Sequence, residues 1–141
     1  MKKFLFYLLS FTWGLPMTLV GIVGAIALLV AGHQPEKYGY CIVFRLGAGW
    51  GGFSAGPIFF ASKTANSELL AHEHGHSIQN CWFGPIFPFI VAIPSTIRYW
   101  WRELTEKIGT DYDSIWFEGQ ATRVGLKFME SIQNNKTNEK E

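Results

Sequence analysis

From Phe4 to Ala31 the chain runs for 28 residues without a charged side chain. About 20 predominantly apolar residues are enough for a helix to cross a bilayer, so this run predicts a transmembrane segment over residues 4–31. The tripeptide Gly14-Leu15-Pro16 interrupts the run, which leaves open one kinked helix or two arms of a membrane hairpin. A cleaved signal peptide is the weaker alternative, since its apolar core is typically about 7 to 15 residues long.

The composition agrees with a membrane setting and excludes some classes of function. Hydrophobic residues make up 48% of the chain and charged residues 16%, against about 25% charged residues in an ordinary soluble domain. The twelve Phe, six Trp and five Tyr suit a membrane boundary, where aromatic rings are enriched. A net charge of +1 does not provide the positive surface that nucleic-acid binding requires. We therefore expect one domain whose partner is a lipid bilayer and not a nucleic acid.

The two cysteines, Cys41 and Cys81, lie 40 positions apart and form no C-x-x-C pair. A thiolate zinc site is therefore not indicated, and any metal must use other ligands. One disulfide between the two is possible, but two buried free thiols are the favoured interpretation.

Residues 38–62 are rich in aromatic and β-branched side chains separated by glycine. Tyr40–Phe44 and Pro57–Phe60 are strand candidates, so the segment predicts a small β-hairpin. The edge of this hairpin could accept an extended substrate as a further strand. The glycines within residues 47–52 match G-x-G-x-x-G, but the helix that a dinucleotide site needs does not follow them.

Residues 64–80 are predicted to form a helix that carries H-E-x-x-H at His72, Glu73 and His76. Side chains four residues apart share one helix face about 6 Å from each other, so the two histidines can bind one Zn²⁺. Glu73 would lie beside the metal, where it can act as general base on water whose pKa the zinc lowers. A chance match is the alternative, although histidine and glutamate are costly in so apolar a chain unless they bind something.

His33 and His74, the other two histidines, are not expected to be ligands of a catalytic zinc. His74 lies near 200° around the helix from both ligand positions, so we expect it to support the site from behind or to face the surface. His33 follows the first apolar run and is most simply a residue of the membrane interface. If either completed a sphere of four protein ligands, the zinc would be structural.

Catalytic zinc usually takes a third protein ligand, and Glu118 is the best candidate. It lies 42 residues after His76, and the side chains that share its helix face are Ala121, Thr122 and Gly125. Small side chains there would let two helix backbones approach closely. A surface glutamate that favours the helix dipole is the alternative. Weaker rivals are the acids of the polar linker: Glu103, Glu106, Asp111 and Asp113.

The remaining segments complete a mainly α membrane fold. Residues 82–101 are apolar but interrupted by three prolines, which predicts a re-entrant hairpin or a second membrane span. We favour the hairpin slightly, because it keeps both ligand-bearing helices on one side of the membrane. The last predicted helix covers residues 114–132 and carries the third ligand, and residues 133–141 form a polar tail expected to be disordered.

The stretches Leu70–Gln79 and Phe117–Gly125 resemble the gluzincin metallopeptidases, particularly the membrane-embedded branch related to the prenyl-protein endopeptidases, with H-E-x-x-H and a later E-x-x-A-D. Thr122 stands where that branch usually has an aspartate that supports the ligands. A resemblance over most of the chain is to small uncharacterised bacterial membrane proteins with an H-E-x-G-H helix. It implies an integral protein of the bacterial inner (cytoplasmic) membrane.

The gluzincin resemblance implies that His72, His76 and Glu118 bind zinc and that Glu73 is the general base of peptide-bond hydrolysis. The expected substrate is then a peptide or a protein. The alternative is a small non-catalytic membrane protein with a structural zinc site that acts as a scaffold or interaction partner. The short chain of 141 residues favours this alternative, whereas a carboxylate beside the ligands favours the enzyme.

Overall fold

Helices surround one four-stranded sheet in the part of the chain that the computed structural model describes, residues 1–105 and 115–138. The helices and strands in chain order are α1 (Lys3–Phe11), α2 (Leu15–Val30), β1 (Pro35–Tyr38), β2 (Cys41–Leu46), β3 (Gly52–Ala55), β4 (Ile58–Ser62), α3 (Ser67–Phe83), α4 (Ile93–Thr105) and α5 (Trp116–Asn138). A 3₁₀ turn at Gly84–Ile86 and a π turn at Pro88–Ala92 join α3 to α4.

The predicted fold class, a mainly α membrane protein with an N-terminal transmembrane helix, is wrong. No single helix within the described ranges is long and apolar enough to cross a membrane. The uncharged run divides into α1 and α2, which meet at 90°. Pro16 lies in the first turn of α2, a position where its missing N–H breaks no helical hydrogen bond. The 16 residues of α2 reach only about 24 Å at 1.5 Å per residue, less than the roughly 30 Å of a hydrocarbon core.

The second apolar segment, residues 82–101, is also bent. Ser67–Ile86 and Pro88–Trp101 enclose an angle of 118°. As with α1 and α2, the two arms meet the length and hydropathy limits of a membrane span only when they are taken together.

The predicted β-hairpin over residues 38–62 is wrong as well, because the segment belongs to a mixed sheet of order β1-β2-β4-β3. The two predicted strands exist within β2 and β4, but they pair in parallel and so cannot be the arms of one hairpin. β3 lies between them in sequence and pairs antiparallel with β4 through a tight turn at Gly56, whose φ is +65°. Neither β1, which is polar and exposed, nor the glycine-containing β3 carries a strong strand pattern.

Helix α3 runs through the centre of the protein. All twelve residues from Leu70 to Cys81 are buried, although many of them are polar. The helix begins at the predicted capping residues, with Asn66 Oδ1 accepting a hydrogen bond of 2.9 Å from the Leu69 N–H. It packs against α5 on one side and against β3 and β4 on the other. The central helix therefore brings the H-E-x-x-H residues into the interior.

Helices α3 and α5 are in backbone contact because glycine faces alanine at two points. A Cβ atom at Gly75 would collide with the backbone of Ala121, and one at Gly125 would collide with the carbonyl of Ala71. The close approach expected from the small residues after Glu118 is thus confirmed. Helix α5 continues to Asn138, beyond the expected end at residue 132, and residues 139–141 of the predicted tail lie outside the described ranges.

Cys41 and Cys81 are both buried free thiols, as the favoured interpretation of the sequence had it. Burial raises the pKa of Cys41 to about 12, so the thiol form is strongly favoured.

Replacing Gly125 by Ala is expected to lower the free energy of unfolding by about 1–3 kcal/mol, since the new methyl group must push α5 away from α3. Urea unfolding of the metal-free chain measures this change. Lys127→Ala, an exposed change on the same helix, serves as the control and should stay within about 0.5 kcal/mol of wild type. A Gly125→Ala chain as stable as wild type would contradict the close contact.

Candidate metal centre

Three buried side chains from two helices point their donor atoms at one spot. His72 and His76 are one turn apart on α3, and their Nε2 atoms are 3.0 Å apart. Oε2 of Glu118, in the first turn of α5, lies 3.1 Å from Nε2 of His72 and 3.2 Å from Nε2 of His76. Two imidazoles and a carboxylate with donor atoms this close form a group that can hold a metal ion.

The spacing of the three atoms fits a tetrahedral metal. Ligand atoms held at roughly 2.1 Å from a tetrahedral zinc are about 3.4 Å from one another, close to the 3.0–3.2 Å found here. The Glu118 side chain is fully buried, and within the described part of the chain its ion-pair partners are these two imidazoles. A carboxylate in such surroundings needs positive charge nearby, which a bound cation would supply.

The electrostatics of the group favour an ionised carboxylate. Burial raises the pKa of Glu118, but hydrogen bonds from His72 and His76 outweigh burial and hold this pKa well below its usual range. Burial lowers the pKa of His76, whereas the hydrogen bond to Glu118 and the nearby charge of Glu73 raise it, so that the net shift is upward. The site thus attracts positive charge, whether a proton or a metal ion.

Each histidine is oriented by a second polar residue. Nδ1 of His72 lies 2.8 Å from Oγ1 of Thr122, and Nδ1 of His76 lies 2.8 Å from Oε1 of Gln79. With its proton on Nδ1, each ring donates to that oxygen, and its unprotonated Nε2 can bind a metal. Thr122 therefore supports a ligand from the position where the gluzincin pattern has an aspartate.

Gln79 also ties the two helices together beside the third ligand. Its Nε2 donates to the carbonyl of Phe117 at 2.8 Å and to Oε1 of Gln120 at 3.0 Å. Because Phe117 precedes Glu118 in α5, one amide side chain positions a histidine ligand and the backbone next to the carboxylate ligand.

Strand β3 contacts the side chain of Glu73 and orients its carboxylate. Its Oε2 accepts a hydrogen bond of 2.6 Å from the hydroxyl of Ser54, and the Glu73 side chain is nearly fully buried. A Cβ atom at Gly52 would collide with the Glu73 carboxylate, so glycine at this position makes room for it. β3 thereby keeps the carboxylate next to the ligands and in a single orientation.

A cavity of about 640 Å³ opens onto the group. His72, Glu73 and His76 form its polar floor, and strand β3 with its preceding loop and the segment from residue 87 to residue 100 form its walls. The large apolar and aromatic side chains of these walls are Trp50, Phe53, Leu69, Phe87, Val91, Tyr99 and Trp100. The cavity is large enough for a short extended segment of a ligand, and its walls are mainly apolar, with the hydroxyls of Ser54, Ser95 and Thr96 among them.

The other two histidines lie away from the group. His74 is fully buried on the opposite side of α3 and stacks on Phe128 at 4.4 Å between ring centres. Its Nε2 accepts a hydrogen bond of 3.3 Å from the Tyr40 N–H, so it neither supports the ligands nor faces the surface as expected. His33 is half-buried just after α2 and is not a member of the metal-binding group.

The sequence predicted the group of His72, His76 and Glu118 that the structure brings together. It did not predict two residues that orient the site, Gln79 and Ser54. Gln79 carried a weak signal, because it lies three residues after His76 on the same helix. Ser54 carried none, since only the packing of β3 against α3 places it at Glu73. Among the rival acids, the side chain of Glu103 and all of Glu106, Asp111 and Asp113 lie outside the described part of the chain.

Comparison with known proteins identifies no relative. No protein family model, no curated protein and no solved structure matches this chain. The resemblance to gluzincin metallopeptidases therefore stays a prediction, while the group of three side chains that can hold a metal ion rests on the distances between its donor atoms.

Replacing Glu118 by Gln is expected to weaken divalent metal binding by at least about 100-fold, because the site loses its only anionic ligand. Titration of the metal-free protein with Zn²⁺ and Co²⁺, followed by calorimetry and by the visible spectrum of Co²⁺, measures this loss. Glu130→Gln, an exposed change on the same helix, should bind metal like wild type. Equal metal affinity of the two variants would remove Glu118 from the ligand set.

Because His74 is buried as a neutral ring, we expect the folded protein to lose stability in mild acid. Burial lowers its pKa from 6.5 to about 4, so between these values the unfolded chain binds the proton and the folded chain does not. The free energy of unfolding should fall as the pH drops through this window, by up to about 3 kcal/mol.

Urea unfolding in the presence of a chelator, at about pH 7 and about pH 5, measures this contribution. His74→Gln should be less stable than wild type at the higher pH but should lose less stability on acidification. An unchanged dependence on pH in this variant would show that His74 does not titrate as its burial implies.

Proposed function

We propose that this protein is a zinc-dependent hydrolase that cleaves peptide bonds, with Glu73 as its general base. The observation that carries the proposal is the position of Glu73, whose buried carboxylate lies in the floor of the cavity beside two histidines of a three-ligand group. A metal site with a purely structural role has no need of an additional carboxylate there.

Zinc is the metal that suits the donor set best. Two imidazole nitrogens and one carboxylate oxygen are ligands that zinc accepts in catalytic sites, which keep a fourth position for water or substrate. Held by His72, His76 and Glu118, zinc would supply a Lewis acid and would lower the pKa of a water molecule towards neutrality.

The open fourth position supports catalysis over a structural role. Structural zinc sites usually have four protein ligands. Within residues 1–105 and 115–138 the group contains only three such side chains, and His33 and His74 do not join it. Two of the three ligands, His72 and His76, line the cavity, so the cavity gives access to the group.

Glu73 performs the proton transfers in the proposed reaction. Its carboxylate takes a proton from the attacking water, whose oxygen bonds to the carbonyl carbon of the substrate. As the carbon–nitrogen bond breaks, Glu73 passes this proton to the leaving amine. Ser54 keeps the carboxylate oriented through both transfers by its hydrogen bond to Oε2.

The walls of the cavity favour a peptide with bulky uncharged side chains near the cleaved bond. Seven large apolar or aromatic side chains line the cavity, and no lysine or arginine is among its lining residues. β3 is one of the two edge strands of the sheet, and its residues Gly52 to Ser54 belong to the cavity wall. An extended peptide could therefore add to this edge by backbone hydrogen bonds while its side chains enter the apolar cavity.

Replacing Glu73 by Gln is expected to lower the hydrolysis rate by about 10²–10⁴-fold, the usual contribution of a positioned general base, while zinc binding is kept. A library of fluorescence-quenched peptides with varied residues around each bond serves as substrate, and mass spectrometry locates the cut. Glu68→Gln, an exposed change in the first turn of the same helix, is the matched control and should cleave like wild type.

Cleavage by wild-type protein next to large apolar residues, lost in Glu73→Gln, would support the proposal. Zinc-loaded wild-type protein that cleaves no member of the library would favour the structural zinc site. Cleavage at an equal rate by wild type and Glu73→Gln would point to a contaminating peptidase.

A further inference from the structure

Exposed apolar side chains are concentrated in two segments of this chain, residues 1–30 and 82–104. Among the described residues, only three large exposed apolar side chains lie elsewhere: Ile42, Trp116 and Leu126. Each segment contains side chains that are largely exposed, such as Val23 at 69% and Phe89 at 70%. Monomeric soluble proteins rarely expose contiguous apolar patches on this scale, so the two segments mark an interaction surface.

The two segments form one continuous surface. Trp13, between α1 and α2, donates a hydrogen bond of 3.4 Å from its indole to the carbonyl of Trp82 and packs against Gly84. Both indole rings are about half exposed. We call this surface the apolar face; it comprises α1, α2 and residues 82–104.

The apolar face carries almost no charge. Residues 4–31 and 82–97 contain no charged side chain. Charge appears where the uncharged stretches end: Lys2 and Lys3 are exposed at the beginning of α1, and Arg98, Arg102 and Glu103 follow residue 97 in the sequence. An apolar surface with lysines at its margin is complementary to a lipid bilayer whose headgroups are anionic.

The breadth of exposure on α2 favours lipid over a packed protein partner. At 100° per residue, the exposed positions from Leu15 to Val30 cover about half of the helix circumference. A neighbouring helix in a protein interface contacts a narrower stripe. Fluid lipid can contact the whole of this arc at once.

Helix α4 and the turn before it show the pattern of a helix that lies in a membrane interface. Phe89, Ile93 and Ile97 recur at intervals of four residues and are all exposed, so they share one face. Trp100 and Trp101 continue this face, and tryptophan is enriched at the level of the lipid headgroups.

We propose that the apolar face lies in the interfacial layer of an anionic lipid bilayer, with none of the described helices crossing it. The 90° bend between α1 and α2 suits this arrangement, because both helices can lie along the interface without continuing across the bilayer. The 118° bend turns residues 88–101 away from the direction of the buried helix α3. Trp100 belongs both to the apolar face and to the wall of the cavity, so the cavity opens at the margin of the lipid-bound surface.

Flotation of the full-length protein with vesicles tests this proposal. The vesicles are made of phosphatidylcholine alone or of an equimolar mixture with phosphatidylglycerol. Wild-type protein should float with both and more strongly with the anionic mixture, and the difference should shrink in Lys2→Glu/Lys3→Glu protein. Val23→Asp and Phe89→Asp should each lower the partition coefficient by about tenfold or more, since each removes a buried apolar contact and adds a charge.

Leu126→Asp is the matched control, because Leu126 is an exposed leucine on α5 outside the apolar face, and its partition should stay within about twofold of wild type. Far-UV circular dichroism and the urea midpoint confirm that each variant is folded. Wild-type protein that stays unbound with both kinds of vesicle would overturn the proposal. An equal loss in Leu126→Asp and Val23→Asp would also overturn it, since the surface would be assigned wrongly.

A second copy of the chain is the rival occupant, and sedimentation in the absence of lipid distinguishes it. A discrete dimer that Val23→Asp converts to monomers, together with no vesicle binding, would assign the apolar face to a dimer interface and overturn the proposal. The outcome is independent of the proposed hydrolase, because Glu73→Gln and Glu118→Gln should float like wild type.

Discussion

The backbone contact between α3 and α5 is the constraint on which the rest of the structure depends. Glycine at positions 75 and 125 lets each helix meet the main chain of the other at Ala121 and Ala71. Glutamate has a short side chain, so Glu118 reaches the two histidines only when the helix backbones are this close. Larger side chains at positions 75 and 125 would move the helices apart. The carboxylate of Glu118 would then no longer reach the imidazoles, and the metal-binding group would be lost.

The same contact explains how so polar a helix can be buried. A buried polar group destabilises the fold when it lacks a hydrogen-bond partner. Polar side chains of α3 find such partners on the elements that pack on both of its sides. Thr122 and Glu118 come from α5, and Ser54 comes from β3. Gln79 bonds both to a ligand and to the α5 backbone. The polar residues that hold the fold together are therefore also those that shape the site.

The two faces of α3 give histidine two opposite roles. His72 and His76 face the cavity and Glu118, in surroundings that attract positive charge. His74 is two residues from each of them but stacks between the rings of Phe6 and Phe128, where burial lowers its pKa to about 4 and favours the neutral ring. The helical period places these histidines on opposite sides of α3, because positions two apart are about 200° apart around the helix, and the neighbours on each side set the different surroundings.

The sequence by itself determined the local chemistry: the helical spacing of His72, Glu73 and His76, and the small residues that follow Glu118. These are short-range patterns, set by helix geometry and side-chain size. The tertiary structure decided which helices and strands the apolar segments form and how these pack. The run from Phe4 to Ala31 has the length of a membrane span but bends at Gly14, and the predicted hairpin became part of a mixed sheet. Strand pairing, helix bends and the approach of Ser54 to Glu73 depend on contacts between distant segments, which hydropathy and spacing do not encode.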